Sequence, residues 1–316
     1  MVQLLLPLFQ NTAEVVVVKT HEVREAWHWL LKNMSPRPDQ NCSLCIYDLK
    51  VWSDADGQQP LSPTDLIGMM LGRLYLTSEL GDLGAIINMV NGADAQDIIV
   101  PAGDLDEDVR NVIESRKRFR DGLSEHLAFW VCLATAAQLC SDGSKFACIL
   151  PHVQVDDKGP DGLFLLVGLT SKVELQSVKN SEKDPAYLLS TKFFQKKGRV
   201  SSSARKRLLE EFHRFAYQRT GFTRLDRALS DLCERLGVHT DQRIRIALLS
   251  STSCSYNAVV VADHQYARHD LFEGYQHVTK DAEHRVATYI GSTSWAKVAE
   301  IVRQSVLQTL KNSGYL

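Results

Sequence analysis

The stretch "GLSEHLAFWVCLATAAQL", residues 122–139, constrains the chain most. It is apolar nearly all round its C-terminal turns, so as a helix it must be buried rather than laid on a surface. The segments after it supply the cover. "KFACILPHVQV", "DGLFLL" and "LTSKVELQSV" have strand character, and "SARKRLLEEFHRFAYQRT" and "TRLDRALSDLCERLG" read as helices. "RIRIALLSS" and "YNAVVVAD" return to strand, and "SWAKVAEIVRQSVLQTLK" is again helical. The order helix, three strands, helix, strand predicts an α/β fold with a mixed central sheet flanked by helices.

The preceding part is organised differently. "EVVVVK" and "SLCIYDLKVW" read as strands, "HEVREAWHWLLKNM" and "TDLIGMMLGRLYLTSEL" as helices, and "SDADGQQPLSPTD" as an exposed loop. An acidic stretch, "PAGDLDEDVRNVIE", then gives way to the basic "SRKRFRDG". This charge reversal places a boundary near residue 115, between an N-terminal α+β domain (1–114) for partner docking and a second domain (115–316) carrying the chemistry.

A chain of 316 residues, 44% hydrophobic and 23% charged, can bury one large core or two modest ones without staples. Its formal net charge of -2 argues against uniform coating of nucleic acid and leaves room for a local basic face. The opening "MVQLLLPLFQ" lacks a basic start and a cleavage site, and no run approaches the roughly 18 apolar residues of a membrane span, so a cytoplasmic protein is expected. Seven scattered cysteines fit reduced core thiols, and Cys42 and Cys45 form a C-x-x-C without the second pair that a structural zinc site needs.

The stretch "GPDGLFLLVGLTSKVELQSVKNS", residues 159–181, carries the candidate site. A two-residue turn at Val167 and Gly168 sets Leu166 against Leu169, Lys172 against Leu163 and Glu174 against Asp161. Paired Cβ atoms are then roughly 5 Å apart, and like charges so placed call for a cation or a proton. Side chains alternate, so Lys172 and Gln176 share the face of Glu174 while Lys179 points to the other face. Magnesium, or manganese, suits such oxygens at about 2.1 Å, with Asp161, Glu174 and the Leu175 carbonyl as ligands. Phosphodiester hydrolysis is the natural chemistry of such a centre. The same residues also read as a turn aspartate after "DDKGP" and the solvated face of an amphipathic strand.

Pro160-Asp161 followed by Glu174-Leu175-Gln176 resembles the signature of the PD-(D/E)xK nuclease superfamily. The resemblance covers roughly residues 115 to 262 and implies a restriction-endonuclease-like core. It also implies Glu125, on the helix before the hairpin, as a further catalytic carboxylate. Most members have lysine where Gln176 stands; Gln176 itself or Lys172 would then orient the attacking water.

Basic residues flank the hairpin. Lys192, Lys196, Lys197, Arg199, Arg205, Lys206 and Arg207 come after it, and Arg116, Lys117, Arg118 and Arg120 precede the Glu125 helix. Such groups neutralise phosphates without reading sequence. His264, His269, His277 and His284 match no zinc spacing and read as surface histidines, and no Walker or G-x-S-x-G motif is present. The expectation is a magnesium-dependent DNA endonuclease, similar to effector nucleases of bacterial phage defence such as the small subunit of Hachiman systems. Partners would be DNA, a helicase or ATPase subunit, and further copies of the chain. The alternative is an inactive nuclease-like nucleic-acid-binding or scaffold subunit of a defence complex, which the glutamine at 176 keeps open.

Overall fold

The computed structural model describes residues 9–12, 15–37, 44–49, 63–80, 86, 89, 98–101, 107–139, 145–148, 151, 161–167, 172–192, 253–272 and 284–313. In chain order the elements are β1 (Phe9–Thr12), β2 (Val15–Val18), α1 (Thr20–Asn33), β3 (Met34–Arg37), β4 (Leu44–Leu49) and α2 (Pro63–Leu80). Then come β5 (Ile98–Pro101), α3 (Glu107–Glu114), α4 (Arg116–Leu139), β6 (Lys145–Cys148), β7 (Gly162–Val167), β8 (Lys172–Ser181) and α5 (Ala186–Lys192). Last are β9 (Ser253–Asp263), two 3-10 turns (His264–Tyr266 and His269–Phe272), β10 (His284–Ser292) and α6 (Trp295–Asn312).

Seven strands form one mixed sheet in the order β3-β4-β10-β9-β8-β7-β6. The inner neighbours β4, β10, β9 and β8 run parallel, and β3, β7 and β6 pair antiparallel at the flanks. The middle of β9 shows why it lies inside. Ala258, Val259, Val260, Val261 and Ala262 are all fully buried, as in a parallel strand covered on both faces. Val259 and Val261 join the core formed with α1, α2, α4 and α6, whereas Ala258, Val260 and Ala262 join Leu189 of α5, Leu271, Phe272 and Tyr289 on the opposite face. β1, β2 and β5 form a separate antiparallel sheet of three strands.

α4 is the buried helix that its composition demands. Ala128, Phe129, Trp130, Val131 and Leu133 are buried, and two indoles tie it to its neighbours: Trp27 Nε1 donates to Trp130 O (3.2 Å) and Trp130 Nε1 to Leu74 O (3.0 Å). α2 and α6 approach closely because Gly68 and Gly72 carry no side chain where Ile301, Ser305 and Val306 come in.

The boundary expected near residue 115 does not match this packing. β3 and β4 belong to the same sheet as β8, β9 and β10, and α1 and α2 share one core with α4 and α6. The charge reversal marks only the step from α3 to α4, where exposed side chains change sign over a continuous interior. No helix among the described residues is long and apolar enough to cross a membrane.

Candidate active site

The hairpin register differs from the one expected. Gly162 faces Gln176, Phe164 faces Glu174 and Leu166 faces Lys172, so Glu174 lies opposite Phe164, three residues on from Asp161. Val167, expected in the turn, is still in β7 and paired with Lys145 of β6, and Gly168 lies outside the described residues. An odd slip moves a side chain to the other face, and three residues of strand are about 10 Å, so Asp161 and Glu174 do not share an ion.

Asp161 acts at the edge of the sheet instead. β7 begins at Gly162, so among the described residues β8 beyond Gln176 has no strand on that side, and Asp161 N donates to Gln176 O (2.9 Å) just before β7 starts. The Asp161 carboxylate takes over the ladder's role by accepting the Val178 backbone N–H. Its Oδ2 also accepts from Ser177 Oγ (3.3 Å) and Lys179 Nζ (3.2 Å). The ammonium is fixed by a second bond, to Val178 O at 2.6 Å. With the register slipped by three, Asp161 falls level with Ser177, whose face Lys179 shares, and the early end of β7 lets its carboxylate turn to both the Val178 N–H and Lys179.

α4 brings Glu125 to this place. Burial first, and then the charge of Asp161, hold its carboxyl well above the usual carboxylate range; Lys179 pulls the other way, and Asp121 and Glu79 add to the rise. Asn180, next after Lys179, donates Nδ2 to Asp121 Oδ1 (2.9 Å) and accepts from Arg120 Nε (3.2 Å), tying the start of α4 to β8. Arg120 also pairs with Glu182.

Glu174 and Gln176 serve a different construction. Gln176 is only 1% exposed and donates Nε2 to Glu174 Oε1 (2.9 Å); Asn257 Nδ2 donates to the same oxygen (2.9 Å), and Thr288 Oγ1 donates to Asn257 Oδ1 (3.0 Å). This polar row crosses β8, β9 and β10 beneath α4, so Gln176 is neither on a solvated face nor open to an attacking water. Gly162 makes room for it: a Cβ there would lie 2.6 Å from Gln176 Oε1. Lys172 opens β8 opposite Leu166, at the far end of the strand from Lys179. Leu175 sits between Leu163 and Tyr256, paired on both sides, where its backbone belongs to the ladder rather than to a metal.

A second polar group lies deeper. His126 Nδ1 is 2.6 Å from Ser78 Oγ and its Nε2 is 2.9 Å from Glu79 Oε2. Trp130 Nε1 donates to Ser78 Oγ (3.2 Å), and the Tyr75 ring packs 4.5 Å from the imidazole. The order of groups is that of a serine hydrolase, but Ser78 and His126 are buried between α2 and α4, and Ser78 Oγ lies 2.8 Å from Leu74 O. It is a polar staple between helices. It also borders the site: Tyr75 ionises only well above the usual phenol range, through burial and the charges of Glu79 and Glu125.

Of the basic residues, Arg116 is exposed with Nε 3.5 Å from Glu300 Oε2, and Arg118 is exposed. Lys192 ends α5, whereas Lys196, Lys197, Arg199, Arg205, Lys206 and Arg207 lie outside the described residues. His264 is exposed, as expected, with Nδ1 3.2 Å from Ser292 O; Cys42 and His277 lie outside the described residues. Sequence reasoning missed Lys179, Asn180, Asp121 and Asn257. The serine-x-lysine of "QSVKNS" was the available signal, hidden because its meaning depends on where β7 begins. In comparisons with protein-family models, curated proteins and solved structures, the chain matches none.

Proposed function

We propose that the protein is a metal-dependent nuclease acting on DNA, with Asp161, Lys179 and Glu125 as its centre. The observation that carries this reading is the meeting of Asp161 and Lys179 at 3.2 Å where β7 ends alongside β8, with Glu125 of α4 near enough to feel the charge of both. Compared with the superfamily pattern, Asp161 keeps its place, Lys179 takes the lysine position, Ser177 stands at the acidic position two residues before it, and Glu125 supplies the second carboxylate.

Among the described residues no three His, Cys, Asp or Glu side chains gather for a metal. Two carboxylates nevertheless fit a hard divalent ion, since magnesium is commonly held by one or two carboxylates and several waters. Asp161 and Glu125 would hold it. When bound, such an ion polarises a phosphoryl oxygen and lowers the pKa of a coordinated water. The chain's own contribution is positional. Val178 N–H and Ser177 fix the aspartate, and Val178 O fixes the ammonium, which is set to orient a water and to offset charge building on the phosphate. The setting in phage defence, beside a helicase or ATPase subunit, rests on the family resemblance alone.

The test is cleavage of duplex DNA by the purified protein with Mg²⁺ or Mn²⁺. Lys179→Gln and Asp161→Asn should each abolish it while leaving the melting profile cooperative, and Glu174→Gln should retain it. Loss in Glu174→Gln with full activity in Lys179→Gln would return the site to the other residues of the hairpin. A wild-type protein that binds DNA without cutting it under any divalent ion favours the scaffold reading.

A further inference from the structure

We infer that Arg120 is the residue that receives a phosphodiester of bound nucleic acid beside this centre, and that Glu182 occupies it in the absence of DNA. The inference rests on the nuclease reading for its location and goes beyond it in naming the contact and its internal competitor. Arg116 and Arg118 remain exposed on the outside of α4, but Arg120 turns inward, with only 19% of its side chain exposed. Its Nε is committed to Asn180 Oδ1 at 3.2 Å. Asn180 is the neighbour of Lys179 and also holds Asp121, one helical turn before Glu125. The guanidinium is thus anchored through Nε, and its NH1 meets Glu182.

That geometry suits a phosphate. A guanidinium fixed at one nitrogen keeps its planar fork, which matches two oxygens of a phosphodiester better than an ammonium does. Glu182 is a weak occupant: its side chain is 51% exposed, so water and salt reach and screen its half of the pair. A DNA backbone presents repeated phosphates and releases counterions as it binds, so it displaces one glutamate readily. The contact carries no base information, so binding should be indifferent to sequence.

The experiment is fluorescence anisotropy of the full chain with labelled duplexes of unrelated sequence, in EDTA, over a range of salt. Arg120→Gln should weaken binding about tenfold and reduce the slope of log K against log salt by about 0.9, one phosphate contact. Glu182→Gln should tighten binding several-fold, and this gain should vanish in the Arg120→Gln background. Asp184→Asn, another exposed acid two residues away but engaged with Arg268 at 2.8 Å, controls for net charge and should give a smaller gain. Equal tightening by Glu182→Gln with and without Arg120, an Arg120→Gln protein that binds like wild type, or no binding by wild type overturns the inference. Should Arg120→Gln fail to fold, Glu182→Gln against Asp184→Asn still decides, equal gains counting against it. Cleavage is scored separately. Arg120-dependent binding without cleavage sinks only the nuclease reading, and cleavage with Arg120-independent binding sinks only this one.

Discussion

Glu125 keeps its proton to higher pH in the folded chain than in the unfolded one, where a glutamate titrates at about 4.3. Stability from this group is therefore fully present below that value and is lost as the pH rises through the folded pKa. Glu125→Gln, neutral throughout, should melt above wild type at pH 8 in EDTA and converge with it near pH 4. Thermal scans across that range check this, and a lower melting temperature for the variant at pH 8 would contradict it. Adding Mn²⁺ at pH 8 should raise the melting temperature of wild type and leave Glu125→Gln unmoved, because only the carboxylate pair gains from the ion. Gly162 permits a different test. Gly162→Ala would set a methyl 2.6 Å from Gln176 Oε1 and 3.3 Å from its Cβ, pushing the amide off Glu174. The expected cost is about 1–3 kcal/mol, seen as a lower urea midpoint at unchanged m. Asp161 and Glu125 were legible as carboxylates flanking one hairpin. Lys179 was not, because the expected register set Asp161 level with Glu174; the slip of three brings Asp161 level with Ser177, on the face that alternation gives to Lys179.

Among elements, the crossing of α2 and α6 turns on two glycines that are not equivalent. A Cβ at Gly68 would meet Ile301 Cγ2 at 3.1 Å, Ser305 Cβ at 3.3 Å and the Ile301 carbonyl at 3.4 Å, whereas the nearest atom at Gly72 is Ser305 Oγ at 3.4 Å. Gly68→Ala should cost about 1–2 kcal/mol through overpacking, and Gly72→Ala should be neutral or gain up to about 1 kcal/mol of helix propensity. Chemical denaturation of both variants separates the two; equal effects would mean that the helices simply slide apart. Periodicity read α2, α4 and α6 well because each presents a long apolar surface to other helices. It read β9 from "YNAVVVAD", an apolar run that only a strand covered on both faces explains. It passed over β10, although this strand lies between β4 and β9. "HRVATYIGS" mixes His284, Arg285, Thr288 and Gly291 into its run, and the polar Thr288 is explained only by Asn257 on the next strand. The hairpin register failed for a related reason. Turn chemistry favoured Val167-Gly168, but β6 pairs Val167 into the sheet, and that long-range contact overrides the local signal.

For the whole molecule, one hydrophobic core joins α1 and α2 to α4 and α6. Arg73 of α2 is buried with Glu22 of α1 at 3.8 Å, and Arg303 of α6 lies 3.4 Å from the carbonyls of Ile113 and Glu114 at the end of α3. Residues 115–316 made alone should therefore not fold: they would leave β10 without β4 and the inner faces of α4 and α6 without α1 and α2. Circular dichroism and tryptophan fluorescence should give coincident urea transitions for the full chain and a non-cooperative one for the fragment; a sharp transition in the fragment would restore the two-domain view. The position of β10 bears on how the protein is made. β10 is inserted between β4, translated long before it, and β9, translated shortly before it. Until residue 292 has left the ribosome, the edge of β4, and after residue 263 that of β9, lacks the strand that joins them, and until residue 312 emerges, the apolar side of α2 waits for α6. From residue 49 to residue 292 the nascent chain thus carries the open edge of β4, joined after residue 263 by that of β9, the condition under which chains aggregate or recruit chaperones. Asp161, Lys179 and Glu125 all precede β10, so a ribosome stalled before that point displays the centre on a sheet that still lacks its β3 and β4 half.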